Sequence, residues 1–444
     1  MNRLDDFNST VREESLLTAD KSCETIVKGS VNLHTHTFFS YNALGWSPTH
    51  YALQCRKGGV EYAGIIDFDT LEGLEEFYKV GELLSLKTSV GFETRSFYNR
   101  YKNLEIDSPG EPGVHYLAGA GFYKVPEKGT EEDLYLAKLQ TMAEQRNRAL
   151  LDRINTATPE LNLNYDTDVL PLSPGGTPTE RHIIAAYRNY SEKNLSHKTQ
   201  VSLWAQCFKM KESEIENLLK DKTKLEDQMR TSLAKKGGVA YVQPDQTTFP
   251  ATEEVFAWIK ACDAIPTESW LDGTSDGEKL GLELMESSVA LGARALNIIP
   301  DRNWNIADEE QKKIKIENLN KVIANAVLLD LPLHIGTEGN KLGLPFVDDL
   351  NVEALKAHKE HFIKGAQVIT GHVILGRFAD YSYLSEGANN EFSNTKAKND
   401  FFASVGSLPA LNKPQADHLR SMDEEIAFAK IVDSATTGDW CGIK

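Results

Sequence analysis

The sequence predicts an α/β fold built round a mostly parallel sheet, on three observations. From Gly29 onward, short apolar runs alternate with longer amphipathic ones. The same beat returns after residue 250, and the stretch between the two blocks has helical periodicity and many charges. Two blocks of one barrel, parted by a mostly helical insertion, account for all three.

In the first block, residues 30–34, 62–66 and 87–92 read as strands, and 49–57 and 72–86 as the helices between them. The second block opens with a helix over 251–261 and continues with strands at 264–270, 295–299 and 332–336, separated by helices at 278–291 and 309–329. Between the blocks, 131–154 and 179–236 are helical, and 155–178 holds the Pro/Gly-rich turn Pro171-Leu-Ser-Pro-Gly-Gly-Thr-Pro178. Residues 381–414 are polar and loop-like, and 415–433 fits one last helix, packed on the barrel or against another subunit. The expected division is an arm (1–29), a first barrel part (30–125), the insertion (126–236), a second barrel part (237–380) and a C-terminal loop and helix (381–444).

The composition excludes several jobs. With 444 residues, 41% hydrophobic and 25% charged, the chain has the average make-up of a folded globular protein. Its net charge of −17 repels long nucleic acid, so duplex binding is not expected. No apolar run reaches the ~20 residues of a bilayer-spanning helix, and residues 1–30 lack the apolar core of a secretory signal. The expectation is therefore cytoplasmic residence and no membrane partner. Cys23, Cys55, Cys207, Cys262 and Cys441 are odd in number, scattered and without a CxxC pair, so they read as reduced. No feature of the sequence selects an oligomeric state.

Chemistry concentrates at the predicted strand ends. His34-Thr-His36 puts two imidazoles on one face, where both can reach one metal ion. Asp67 and Asp69 follow the next strand. Because Asp69 and Thr70 directly precede a helical run, Asp69 reads as its N-cap and Asp67 as the functional carboxylate. Glu93 ends the third strand, and His115 lies in a further strand-like run. Two histidines, a carboxylate and another histidine on successive strand ends are poorly explained by packing, since unpaired buried charge is costly and a metal ion would compensate it. Arg95, two residues past Glu93, shares its face and is a candidate for an anionic substrate, or for pairing with Glu93 or Asp67. His334 reads as a satisfied core histidine. His372, in an apolar strand-like run, could stand behind the ligating residues or face substrate. His50, His197, His358, His361 and His418 read as surface residues.

These residues resemble a family, the PHP (polymerase and histidinol phosphatase) superfamily of metal-dependent phosphoesterases. "NLHTHTFFS" looks like its opening HxH motif, "GIIDFDT" like its GxTDHDT motif, "GFET" like its GxE motif, and "VHYLAGAGF" like its strand with a metal-binding His. "QRNRALLDRINTATPELNL" followed by "PTERHIIAAY" is similar to the helical insertion of the nucleotide-phosphatase branch, and "LPLHIGTEGN" looks like the final GSDSH-type motif. The resemblance implies a distorted seven-stranded (β/α) barrel with a helical insertion domain.

The departures matter as much. Phe68 stands where the family has a metal-binding His, and Glu338 and Asn340 stand where it has Asp and His. The family's His-Pro motif is missing. It could align with Gln243-Pro244 or, preferably, with Trp270, leaving Asp272 as a substitute ligand. The resemblance then implies one or two divalent ions (Zn, Mn or Fe), with His34, His36, Glu93 and Glu338 at a first site. Glu93 and His115 would serve a second, completed by Asp272, Asp67 or water. The expected catalytic set is Glu93, Asp67 and His115, with Arg181, His182 and Arg95 binding an anionic small molecule. The expected activity is hydrolysis of a small phosphoester, a nucleotide or sugar phosphate. The alternatives are metal-dependent hydrolysis of another bond and a catalytically silent ligand-binding barrel.

Overall fold

The computed structural model describes residues 3–22 and 25–443; Cys23 lies outside them, and the other four cysteines are free. Seven strands pair in sequence order: β1 (Val27–Asn32), β2 (Val60–Phe68), β3 (Lys87–Phe97), β4 (Val114–Ala120), β5 (Ile265–Trp270), β6 (Ala295–Ile298) and β7 (Leu333–Ile335). Helices flank them, and the sheet curls into a nearly closed barrel. The seam is sealed at the ends of β1 and β7, where Leu33 N–H donates to Ile335 O and His36 N–H to Glu338 O, both at 2.8 Å. Gly336 makes the seam possible, because a Cβ there would stand 2.4 Å from the backbone nitrogen of His34.

The sheet is parallel except at β4, which runs antiparallel to both β3 and β5. The physical reason is the connection. Between Phe97 and Val114 the chain forms only a short 3-10 turn at Asn99–Tyr101, and a parallel return would need a longer crossover. The other connections carry helices. In the first of them, Pro48–Lys57, Ser47 Oγ caps the end by accepting from His50 N–H at 3.0 Å, and Pro48 occupies the first turn.

The insertion, from the helix Glu131–Ala157 through Arg230–Ala234, has an apolar core of its own that includes Ile154, Tyr187, Trp204, Leu225 and Met229. Three readings change. The strand-like run around His372 belongs to the helix Lys359–Ala379, whose burial on most sides hides a helical period. The loop-like segment after residue 381 holds the helices Glu386–Glu391 and Thr395–Gly406, with Ser385 and Asn394 as their caps, so part of its polarity is capping chemistry. The single helix expected at 415–433 is two, Lys413–Arg420 and Glu424–Thr437. Through Phe402, Ala416, Ala427 and Ile431 this C-terminal region joins the core beneath β6 and β7. Among the described residues no helix is long and apolar enough to cross a membrane.

Candidate metal centre

His34 and His36 leave the end of β1 on one side of the chain, and Glu93 reaches them from β3. His34 Nε2 lies 3.7 Å and His36 Nε2 3.3 Å from Glu93 Oε2. All three residues are buried, and none of these three atoms has a hydrogen-bond partner. Converging donors of this kind fit a bound cation: tetrahedral ligands at about 2.1 Å from one ion stand about 3.4 Å apart, close to the 3.3 and 3.7 Å separations here. The charge balance agrees. Burial lowers the pKa of His36, but attraction to the nearby carboxylates of Glu338 and Glu93 outweighs it and raises the pKa to about 10. Burial raises that of Glu93, yet His34 and His36 hold it below the usual range. A proton and a metal ion would therefore compete for the same place.

Glu338 stands at the edge of this group. Its Oε2 is 3.6 Å from His36 Nε2, its Oε1 is 3.0 Å from Arg302, and it accepts a short hydrogen bond from Asn340. Its backbone φ of 72° is unusual for a residue with a side chain and marks local strain. Phe68 stacks on His36 with centroids 5.0 Å apart and planes 6° from parallel, filling one flank of the group with an apolar ring.

Three of the expected site carboxylates and histidines do not join. Both oxygens of Asp67 are engaged: Oδ1 accepts from Thr37 N–H at 2.8 Å and Ser40 Oγ at 2.5 Å, and Oδ2 from Thr37 Oγ1 at 2.7 Å. His115 is turned away by strand register. Glu93 pairs with Ala118 and Arg95 with Tyr116, so His115, opposite Ser96, projects from the other face of the sheet. There it lies between Asp107, 3.2 Å from Nδ1, and Glu268, 3.1 Å from Nε2. Asp272 is occupied by Thr274 and by Lys315 at 2.8 Å. Asp69 departs from expectation in the opposite direction. The helix begins at Leu74 with Gly73 as its cap, whereas Asp69 has a φ of 55°, accepts from Thr94 Oγ1 at 2.6 Å and lines the cavity beside His36.

That cavity, of about 370 Å³, lies between the barrel mouth and the insertion and falls in the size range of small-molecule sites. Its walls carry Arg95, Arg146, Arg181, Arg230 and Lys235 against the carboxylates Asp69, Glu144 and Glu180, so an acidic protein presents a locally cationic chamber. Arg95 pairs with Glu111 at 3.3 Å rather than with Glu93 or Asp67, and Arg95 and Arg146 each lie 4.5 Å from the ring centre of Phe249. Arg181 donates to Asn340 at 3.3 Å, which ties the insertion to Glu338, the carboxylate beside His36. His182 is instead a buried capping residue: its Nδ1 accepts from Thr179 N–H at 3.0 Å, and burial lowers its pKa to about 3.

Sequence reasoning passed over Ser40, Asn297, Arg146 and Arg302. Ser40 Oγ is 3.0 Å from His36 Nδ1, and Asn297 Oδ1 is 3.0 Å from His34 Nδ1 and 2.8 Å from His334 Nδ1. Asn297 left one signal, as the polar residue in the otherwise apolar strand β6. His50, read as a surface residue, is buried and lies 2.7 Å from Asp5.

No family model and no curated protein matches the chain. Among solved structures it is similar to a protein from Bifidobacterium adolescentis named for metal-dependent phosphoesterase activity, with a TM-score of 0.48 and 17% identity over 73% of this chain and 95% of that one. It is also similar to an amidohydrolase from Chromobacterium violaceum, solved with sulfate and no metal, with a TM-score of 0.49 and 13% identity over 74% and 96% of the two chains.

Proposed function

We propose that this protein is a metal-dependent hydrolase of a small phosphoester, a nucleotide or sugar phosphate, holding one divalent ion between His34, His36 and Glu93 with Glu338 beside them. The observation that carries the reading is the convergence of three buried donor atoms without hydrogen-bond partners, next to a chamber whose walls are net cationic. The ordered HxH, GxTDHDT-like and GxE motifs support the same chemistry. A divalent ion in this place supplies Lewis acidity and lowers the pKa of water.

The chain's own residues do the rest. Arg181, Arg95 and Arg146 meet the anionic substrate, their guanidinium forks matching paired phosphoryl oxygens. Phe68 keeps solvent from one flank of His36. A single ion is favoured over two because Asp67, His115 and Asp272 are each engaged elsewhere.

The test is elemental mass spectrometry on protein purified without chelators or an affinity tag, followed by a phosphoester panel. One equivalent of transition metal, lost in His36→Ala together with activity, is expected. Absence of metal, and no uptake of Zn or Mn, would overturn the reading.

A further inference from the structure

Two buried side chains behind the imidazoles carry a further inference, which rests on the metal reading above. Asp67 receives three hydrogen bonds, one of them from Ser40 Oγ at 2.5 Å. A carboxylate only accepts, so the single hydroxyl proton of Ser40 is committed to Asp67. Ser40 Oγ can then meet His36 Nδ1, 3.0 Å away, only as an acceptor, and Nδ1 must carry the proton. On the other side, Asn297 Oδ1 faces the Nδ1 atoms of both His34 and His334, at 3.0 and 2.8 Å. One carbonyl oxygen has lone pairs for two N–H donors.

We infer that Asp67–Ser40 and Asn297 are positioning groups that fix His36 and His34 with the proton on Nδ1, so that Nε2 of each is the atom presented to the ion. The arrangement explains why Asp67 has both oxygens engaged next to the site without reaching it. It also gives the buried amide of Asn297 a purpose that packing does not. His334 Nδ1 also stands 2.8 Å from that oxygen. Partners of this kind orient ligand imidazoles and set their basicity, and their loss typically weakens metal binding about 10- to 100-fold.

The experiment combines chelator-competition titrations of Zn2+ with long-range 1H–15N NMR of histidine-labelled full-length protein. In wild type, His34 and His36 are expected to show Nδ1–H both with and without Zn2+. Ser40→Ala and Asn297→Leu should each bind Zn2+ about 10- to 100-fold more weakly, while Asn297→Asp, which still accepts from both rings, should stay within about threefold of wild type. A bare Nδ1 on either histidine, or unchanged Zn2+ affinity in both Ser40→Ala and Asn297→Leu, would overturn the inference. If wild type takes up no Zn2+, the metal reading fails, and the Nδ1 signals of the metal-free protein, recorded at a pH where each imidazole carries a single proton, still decide the proton assignment. Those signals also decide it if a variant does not fold.

Discussion

Glu93 and Ala118 stand opposite each other across the antiparallel β3–β4 ladder, and this one pairing determines which histidines share a site. Side chains alternate along a strand, so Tyr116 and Ala118 follow Glu93 toward the barrel interior while His115 and Leu117 face outward. On β5, Glu268 pairs with Leu117 and lies on the outer side as well. His115 is thereby bracketed by two buried carboxylates, Asp107 and Glu268, which raise its pKa well above the usual value despite its burial.

The first prediction concerns that bracket. His115→Asn should leave the metal content unchanged while destabilising the fold by about 3–5 kcal/mol, because it strands buried carboxylates without a counter-charge. Urea unfolding and elemental analysis of the same preparation check this. Loss of metal with unaltered stability would place His115 in the site after all.

The same ladder shows where the sequence was readable. Strand–helix alternation is a local signal, and six of the seven strands followed from it; the seventh, carrying His115, was suggested by its resemblance to a family motif. The facing of His115 depends on which residue of β3 lies opposite which residue of β4, a register set by a loop whose geometry no periodicity reports. Asp69 was misassigned because a carboxylate just before a helical run usually caps it, whereas here the turn carries it past the strand end in a left-handed conformation. The helix Lys359–Ala379 hid for a different reason: a helix buried on most sides loses the polar face that gives it away.

A second prediction tests the seam. Gly336→Ala would place a methyl group 2.4 Å from the backbone nitrogen of His34 and 2.6 Å from its Cβ. Backbone cannot yield as a flexible side-chain tip can, so His34 should be displaced. A lower thermal midpoint together with at least tenfold weaker Zn2+ binding is expected. An alanine variant with wild-type metal affinity would show that the seam does not hold His34 in place.

A third prediction separates substrate binding from ion binding. Arg146 lies 3.8 Å from Asp69 and against the ring of Phe249, in the chamber but away from the imidazoles. Arg146→Met preserves the packing and removes the charge. With a phosphoester substrate the KM should rise about tenfold and kcat change much less, the pattern of a lost ground-state contact. The metal content should not move. Equal falls in kcat and kcat/KM would instead assign Arg146 to the transition state.

The last prediction follows from buried histidines held neutral. Tyr383 N–H donates to Nδ1 of His372 at 3.0 Å, and the opposite nitrogen lies 2.9 Å from Gly121 O, which only accepts. A second proton would meet the Tyr383 N–H head-on, and burial has already lowered this pKa to about 4. The folded pKa is thus below the unfolded value of about 6.5. The native state binds fewer protons, so this contribution is complete above pH ~6.5 and is lost as the pH falls toward about 4. His182, lowered to about 3, acts in the same direction. In metal-free protein His36 has the opposite sign: its pKa of about 10 gives stability that is complete below ~6.5 and lost as the pH rises toward that value. Thermal unfolding of the metal-free protein from pH 4 to 10 should therefore show declines on both sides of neutrality. His372→Gln, with an amide to serve both backbone partners, should make the acid limb shallower and leave the alkaline limb unchanged. An acid limb identical to wild type in that variant would assign the loss to other groups.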